Sequence, residues 1–452
     1  MTELLAPSHA RSRMAGAVPW IGLALAAVLI VAATVYPMLA GLNVYVQDFP
    51  PLLASWLPRV GPGTIPAIAL AILAARYAID LAARVRWRVL LIGSFASSLI
   101  WMLSLAAVDG VAGVAGPLDT QYEYLRTARA VTDFGAVLHE YVTRIPEGAV
   151  DSWPVHIAGH PPGALLFFVV LVRLGLGSGL AAGLVVAVIA ATTPAAVLIT
   201  MRRLGAEAGA RRAVPFFTLG PAAIWMAVSA DAMFEAFAAW GLCVLACAAT
   251  SSGRARVAGY AVAAGLLLGY CVMLSYGLPL LGVLAVAVLV LARRWTPLPW
   301  AVGGAAAVVI AFAVGGFAWW QAYPALVSRY WEGVASQRPT GYWIWANFAA
   351  VAMSAGPLFG AGLAVAVSRV RSIRSAPRAD VVVIALALSA LLSLVLADAS
   401  LMSKAEVERI WLPFVPWLLL GTALLPEKWR RWGFAGQLAF ALVVQHALLT
   451  LW

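Results

Sequence analysis

Long apolar segments recur along this chain and are separated by short turns that carry most of its polar residues. Segments of about 20 apolar residues are long enough to cross the hydrocarbon core of a bilayer as α-helices. We therefore predict an all-α, polytopic transmembrane helical bundle with about 13 spans. The predicted spans are 17–41, 64–83, 89–109, 179–201, 213–229, 232–250, 257–275, 277–292, 298–318, 344–367, 381–397, 410–425 and 433–451.

Positive charges predict the orientation of these spans, because cytoplasmic loops of membrane proteins are enriched in Lys and Arg. Arg11 and Arg13 precede the first span, which is too long for the core of a cleavable signal peptide and is predicted to be a signal anchor. We predict a cytoplasmic N-terminus. If the apolar segment 162–176 crossed the membrane, the basic run 201–212 would lie outside. The segment is therefore predicted to be an interfacial helix.

Composition agrees with a membrane protein. The chain is 63% hydrophobic, against roughly half in soluble domains. Its net charge of +11 is explained by basic loops on one membrane side, and no basic stretch interleaved with aromatic residues indicates nucleic-acid binding. Cys243, Cys247 and Cys271 lie in apolar runs, which predicts buried thiols without a disulfide framework or zinc site. Abundant Ala, Gly, Val and Arg, with few Lys, favours a bacterial plasma membrane protein.

The interval 110–161 is the most polar part of a chain in which only 11% of residues are charged. Long ordered loops are commonly lids, binding loops or active sites, so we predict that this loop forms the floor of an active site on the extracytoplasmic face. No compact ligand spacing supports a metal site at His139, Asp151 and His156, and we predict no metal and no cofactor. The loop contains Asp119, Glu123, Asp133, Glu140, Glu147 and Asp151, with His139, His156 and His160.

Basic residues on the same predicted face lie late in the chain. Lys404 and Arg409 flank Glu406 and Glu408, directly before an apolar helix. An arginine at headgroup level suits an anionic phosphate, because its planar guanidinium binds two oxygens at once. The alternative is an interfacial anchor whose charged end simply reaches water. The other predicted outer polar positions are Asp231, Glu235, Arg329–Tyr342 and Asp398–Arg409.

The order of these features resembles the GT-C superfamily of integral-membrane glycosyltransferases, particularly the branch of protein O-mannosyltransferases and aminoarabinose transferases. In that branch an acidic residue opens the first large outer loop, a tyrosine follows, and a K/H/Y-P-P-x motif ends the loop. The counterparts here are Asp119, Tyr122 or Tyr124, and His160–Gly163. The late segment K-x4-R-x-W-L-P-F-x-P, from Lys404, is similar to the family's segment before a terminal span.

The resemblance covers residues 88–425 and has departures. The family usually has Asp-Glu at the start of the loop, whereas this chain has Asp119-Thr120. The tyrosine spacing differs by one, and two extra spans precede the matching region. The implied division is an N-terminal tail with two extra helices at 1–87, a GT-C-like core at 88–295, and C-terminal helices at 296–452 with outer loops 319–343 and 398–409.

The resemblance implies an inverting transfer of a sugar from a polyprenyl-phosphate donor to an extracytoplasmic glycan, glycolipid or protein. Asp119 would be the general base, with Asp48 and Asp133 as alternatives. Each main candidate also has a structural interpretation: Asp119 and Asp231 as helix caps, and His160 as part of a stiff proline-led helix entry. The expected substrate-binding residues are Tyr122, Glu123, Tyr124, His160, Asp231, Arg338, Tyr342, Lys404, Glu408 and Arg409.

A lipid or glycolipid transporter (a flippase) is the alternative function. Such a protein is expected to carry charged or Gly/Pro-broken helices near the bilayer midplane, often in paired halves. The sequence shows no internal repeat and keeps its charges at the outer rim, which favours the enzyme.

Overall fold

The structure, a computed structural model, describes the backbone of residues 6–450 and the side chains of residues 16–450. The predicted cytoplasmic arginines Arg11 and Arg13 therefore lie outside the described side chains. Within the described part, the chain is all-helical apart from two three-residue strands, as predicted. The strands, β1 (Ala54–Trp56) and β2 (Leu448–Thr450), pair antiparallel and join the first predicted outer segment to the end of the chain.

The first twelve helices include those that surround the polar loop 110–161. They are α1 (Ala6–Ala40), α2 (Thr64–Arg84), α3 (Trp87–Ala106), α4 (Ala112–Ala115), α5 (Tyr124–Ala130), α6 (Phe134–Glu140), α7 (Val155–Ala158), α8 (Pro162–Arg173), α9 (Gly179–Ala190), α10 (Thr193–Arg203), α11 (Glu207–Thr218) and α12 (Ala223–Met226).

The remaining helices include the longest buried one, α13. They are α13 (Ala230–Thr250), α14 (Arg254–Leu274), α15 (Leu281–Ala292), α16 (Leu298–Val314), α17 (Trp319–Glu332), α18 (Val334–Gln337), α19 (Thr340–Ser354), α20 (Leu358–Arg369), α21 (Arg378–Ala399), α22 (Val407–Ile410), α23 (Val415–Leu419) and α24 (Glu427–Ala447). The predicted outer loop 319–343 is thus largely helical.

Seven helical segments of the described chain are long and apolar enough to cross a membrane. The number rises to nine if each of two bent helix pairs forms one span. The count of thirteen stays a prediction. The bent pairs are Leu298–Val314 with Trp319–Glu332 and Thr340–Ser354 with Leu358–Ser368. The seven segments are Gly16–Ala40, Thr64–Arg84, Trp87–Asp109, Gly179–Arg203, Ala230–Thr250, Arg254–Leu274 and Arg378–Ala399.

Three spans predicted as continuous helices are broken: 410–425 forms only short α-helical and 3-10-helical segments, and two others, 213–229 and 344–367, break at a single point. The segment 213–229 breaks between α11 and α12, and 344–367 breaks at Gly356 with a bend of 110°. In both a proline follows a glycine, and proline lacks an N–H and disfavours helical backbone in the residue before it. The Gln437 amide satisfies the second break, donating to Ala355 O at 2.8 Å and accepting from Leu358 N at 3.4 Å. Such breaks are tolerated in a bilayer where protein covers them.

The segment predicted to be interfacial forms α8, whose 12 residues span about 18 Å and are too short to cross a core of about 30 Å. Most of its N-terminal half is buried against protein. The Tyr270 hydroxyl donates to Gly163 O at 2.9 Å, and the Phe168 ring stacks on Tyr124 with 5.0 Å between centroids. The N-terminal end of α8 is therefore packed inside the helical bundle.

Polar loops that are far apart in sequence meet at one end of the bundle, here called the polar end. Arg59 forms an ion pair with Asp109, and Arg329 donates to Trp153 O at 2.9 Å. These contacts agree with the prediction that the polar segments share one face. The segments that form the polar end are 42–63, 107–161, 329–342, 398–411 and 448–450.

Arginine-rich turns meet at the opposite end, here called the basic end. Arg431 pairs with Asp80 at 2.7 Å, and Arg378 donates to Leu204 O at 3.0 Å. The long helices α2 and α24 each have one terminus at this end and the other at the polar end. The concentration of arginine-rich turns at this end is what the distribution of positive residues predicted.

The three cysteines, Cys243, Cys247 and Cys271, are buried and free, as predicted. Wild-type protein therefore offers little background to thiol reagents.

We predict that the basic end faces the cytoplasm and the polar end faces outward. Val150 in the polar loop is 88% exposed, and Ser372 lies exposed in a basic turn. In right-side-out vesicles, a membrane-impermeant maleimide should label Val150→Cys directly and Ser372→Cys only after permeabilisation. The opposite labelling order would show that the basic end faces outward.

Candidate functional site

Arg409 lies at the centre of a buried group of charged side chains at the polar end. Its guanidinium donates to Asp231 Oδ2 at 2.5 Å and to Glu406 Oε2 at 3.2 Å. The same guanidinium lies 3.4 Å from His156 Nε2. These residues, together with Glu123, are called the Arg409 cluster. The contact between Arg409 and His156 alone joins residues that are 253 positions apart.

Glu123 and His156 form a buried pair within the cluster. His156 Nδ1 lies 2.7 Å from Glu123 Oε1. A carboxylate accepts a hydrogen bond from this nitrogen, so Nδ1 carries the proton and Nε2 presents its lone pair to Arg409. The carboxylate thereby sets both the tautomer and the ring orientation of the histidine.

Asp231 enters the cluster from the first turn of α13. The helix is capped by Ser229, whose Oγ accepts from Ala232 N at 3.3 Å. The structural interpretation of Asp231 as the helix cap is therefore wrong. Its carboxylate still gains from the positive end of the helix dipole.

A strained turn places Glu406 and Arg409 on the same side of α22. Ala405 and Glu406 have φ angles of 72° and 63°, in the left-handed region that costs a residue with a Cβ about 1 kcal/mol or more. Asn347 supports the turn, accepting from Ala405 N at 3.2 Å and donating to Asp398 Oδ1 at 2.7 Å. Such strained backbone is concentrated at functional sites.

The cluster carries an excess of negative charge. Arg409 and Arg338, which lies 3.5 Å from Glu406, supply two positive charges against the three carboxylates of Glu123, Asp231 and Glu406. Burial alone would raise the pKa of Glu406, but the two guanidiniums outweigh it and lower that pKa. Burial alone would lower the pKa of Arg409, but the carboxylates outweigh it and raise that pKa. Both side chains therefore stay ionised.

Tyr124 and His160 form a second buried pair next to the cluster. His160 Nδ1 lies 2.9 Å from the Tyr124 hydroxyl and 2.7 Å from His156 O. Burial lowers the pKa of His160, so its ring is neutral at physiological pH. Pro161 and Pro162 lead directly into α8, so the predicted helix entry is present.

Lys404 connects two segments of the polar end beside the cluster. Its Nζ donates to Ala335 O at 3.0 Å and to Arg338 O at 3.1 Å, and it lies 4.4 Å from the Trp331 ring. Arg338 returns a hydrogen bond to Lys404 O at 2.6 Å. Burial and the neighbouring guanidinium lower the pKa of the ammonium.

Glu408 is completely buried at the edge of the site. Its Oε1 accepts from Leu53 N at 3.4 Å, which links it to segment 42–63. Burial raises the pKa of Glu408 to about 7, so this carboxyl titrates near neutral pH.

Asp119 lies outside the Arg409 cluster. Arg129 donates to its two carboxylate oxygens at 2.8 and 2.9 Å, and Arg126 donates to its backbone carbonyl at 3.0 Å. The hydrogen bonds from Arg129 lower the pKa of Asp119, and its side chain is 33% exposed. The structural interpretation of Asp119 as a helix cap is wrong, because α5 begins only at Tyr124.

The other predicted site residues lie apart from the cluster. Tyr122 and Asp48 are exposed. Tyr342 donates to Ala33 O at 2.7 Å and packs in a small separate core against α1. Asp133 caps α6, where it accepts from two backbone N–H groups.

Sequence reasoning assigned no substrate role to two members of the cluster, His156 and Glu406. His156 was considered only as a metal ligand, and among the described side chains of residues 16–450 no three acidic, His or Cys side chains are grouped to hold a metal. A signal was present in both cases. His156 is four residues from His160 and Glu406 is three from Arg409, spacings that bring side chains together on a helical turn.

No protein-family model matches this chain, and no curated protein matches its sequence significantly.

The raised pKa of Glu408 predicts how stability depends on pH. The folded state holds this proton up to about pH 7, whereas the unfolded chain releases it near 4.5, so stability falls as pH rises between these values. The loss amounts to about 3 kcal/mol and is complete above pH 7. Unfolding in detergent at pH 5 and pH 8 should show a smaller loss for Glu408→Gln than for wild type. Parallel curves for the two proteins would contradict this role.

Proposed function

We propose that this chain is a GT-C-like membrane glycosyltransferase of the bacterial plasma membrane. It transfers a sugar from a polyprenyl-phosphate donor to an extracytoplasmic cell-envelope acceptor (glycan, glycolipid or protein), with inversion and without a metal or cofactor. The Arg409 cluster is the observation that carries this proposal. Charged side chains are costly to bury near a membrane and mark functional sites.

Arg409 is the proposed contact for the donor phosphate. In the resting state Asp231 and Glu406 occupy its guanidinium, so an arriving anion has to replace one of them. Glu406 is the exchangeable partner, because its side chain is 22% exposed whereas those of Arg409 and Asp231 are 5% and 3% exposed. Replacing a carboxylate by a phosphate keeps the local charge nearly balanced and preserves bidentate bonding.

The base is expected on the other side of the sugar. In an inverting displacement the nucleophile attacks opposite the leaving group, so the group that deprotonates the nucleophile lies across the ring. His156, at 3.4 Å from the Arg409 guanidinium, is on the leaving-group side and is a poor candidate. The geometry instead supports a role for Glu123 and His156 in orienting Arg409.

Asp119 stays the proposed base, with Asp48 and Asp133 as alternatives. Its exposure leaves it accessible to an acceptor hydroxyl, and its lowered pKa keeps it ionised. A carboxylate of low basicity is sufficient where the leaving group is already good, because proton transfer then occurs late. Arg129 would hold the carboxylate in place.

The remaining predicted ligands keep proposed roles according to their positions. Tyr124 and His160 border the cluster and are proposed to contact the sugar, whereas Lys404 and Arg338 are proposed to position the outer segments around the phosphate. Glu408 would fix the first outer segment to the site. Tyr122 and Tyr342 are proposed to act at the acceptor and donor margins.

A lipid transporter is the second candidate, favoured by the helix breaks. Gly/Pro-broken helices are a recurring feature of transporter cores, and the chain has such breaks at 220–221 and 356–357. The concentration of buried charge at one end of the bundle favours the enzyme.

The transfer reaction can be tested directly. Membranes containing the protein are supplied with a panel of radiolabelled polyprenyl-phosphate sugars, and transfer to extractable acceptors is measured. We expect Asp119→Asn to lower the rate about 100-fold or more, because loss of a general base costs that much. Glu147→Gln, an exposed carboxylate of the same loop, should retain the wild-type rate.

Full activity in Asp119→Asn would move the base to Asp48 or Asp133. If wild type transfers sugar from no donor but scrambles the labelled lipid across proteoliposome membranes, the transporter is the correct function.

If the donor phosphate displaces Glu406 from Arg409, removing the Glu406 charge should strengthen donor binding. Glu406→Gln removes the competing negative charge, so the donor should bind about threefold to tenfold more tightly, an effect of about 1 kcal/mol. Equilibrium binding of the labelled donor measures this, with Glu332→Gln as the control carboxylate. Unchanged or weaker binding in Glu406→Gln would assign Glu406 to structure alone.

A further inference from the structure

A groove of about 670 Å³ lies at the basic end, between α1, α20 and α24. Its walls are apolar and its tryptophans are partly exposed at the rim, with Trp20 at 63% and Trp432 at 74%. It lies well away from the Arg409 cluster, which is at the other end of the bundle. Its main wall residues are Trp20, Leu23, Leu358, Trp429, Trp432 and Phe440.

The absence of a side chain at Gly436 of α24 keeps part of the groove open. A Cβ added at Gly436 meets no atom within 4 Å, so open space continues up to the helix backbone. On the opposite wall α1 is held against α20, since Gly22 and Gly360 approach too closely to admit a Cβ. At the rim the Trp20 and Trp429 rings meet edge to face, 4.6 Å apart. The groove is therefore a gap between well-anchored helices.

The depth of the groove matches one leaflet of a bilayer. It runs along α24 from Lys428 to Phe440, which is about 18 Å at the rise of an α-helix. Half of a hydrocarbon core is about 15 Å. Tryptophans at one end of such a groove lie where headgroups meet acyl chains, and Lys428 lies just beyond them.

The charge at the open end of the groove indicates which class of lipid headgroup it attracts. Lys428 is exposed and lines the groove, whereas Arg431 on the same turn already pairs with Asp80 at 2.7 Å. Glu427, the neighbouring carboxylate, is already paired with Arg431 at 2.8 Å. A cation at headgroup level attracts anionic lipids in preference to zwitterionic ones.

We propose that this groove is a binding site for one anionic phospholipid, with an acyl chain along Gly436 and the phosphate at Lys428. The site is independent of the proposed glycosyltransferase activity. The lipid seals the gap between α1 and α24 and stabilises the folded bundle by binding only to it.

The probes are phosphatidylglycerol and phosphatidylcholine with identical acyl chains, added to the delipidated full-length protein in detergent. Phosphatidylglycerol should raise the unfolding midpoint of wild type by about 5 °C, and phosphatidylcholine by clearly less. Gly436→Leu fills the groove and should abolish this shift. Gly303→Leu, on exposed α16 where an added Cβ also meets nothing, should keep it.

Native mass spectrometry gives a second readout. Wild type should retain one phosphatidylglycerol, whereas Lys428→Gln should bind the two lipids about equally. This variant tests the proposed phosphate contact even if Gly436→Leu does not fold. An undiminished shift in a folded Gly436→Leu, or equal stabilisation of wild type by both lipids, would overturn the proposal.

Discussion

The structure at the polar end depends on one constraint: the guanidinium of Arg409 is buried and has to be matched by carboxylates. An unpaired charge in such surroundings costs several kcal/mol, so its partners have to be delivered accurately. Asp231 arrives from the first turn of α13, and Glu406 from a strained turn before α22. Glu123 acts one step further away, through His156. These pairings connect the loop 110–161 to the last third of the chain.

The excess of negative charge in the cluster connects stability with the proposed function. The cluster places three carboxylates against two guanidiniums. A group that served only to stabilise the fold would not need the extra carboxylate, because a balanced or apolar group costs less free energy to bury. The same excess makes Glu406 a displaceable partner. A binding site for an anionic headgroup needs such a displaceable partner, because its buried cation has to stay ionised and paired with a carboxylate until the headgroup binds.

The two ends of the bundle handle charge differently. At the basic end, arginines donate to exposed helix ends and to carboxylates such as Asp80, and the interhelical gap beside Lys428 stays apolar. At the polar end, charge is buried and connected. This division is expected of a bundle that crosses a membrane, because a hydrocarbon core excludes charged side chains and confines them to the two surfaces.

Sequence alone determined the helical class, the burial of the three cysteines and the segregation of polar loops from basic turns, because apolar length and charge distribution are local properties. It also identified Arg409, Asp231, Glu123 and His160 as candidates, and left Tyr122 and Tyr124 as alternatives. Only the tertiary structure decided that Tyr124 is the buried one, that Asp119 pairs with Arg129, and that His156 and Glu406 complete the cluster. The breaks in α11–α12 and α19–α20 were likewise unforeseen. The reason is physical: a pairing such as that of Asp231 with Arg409 spans 178 positions, and it exists only once several helices have packed.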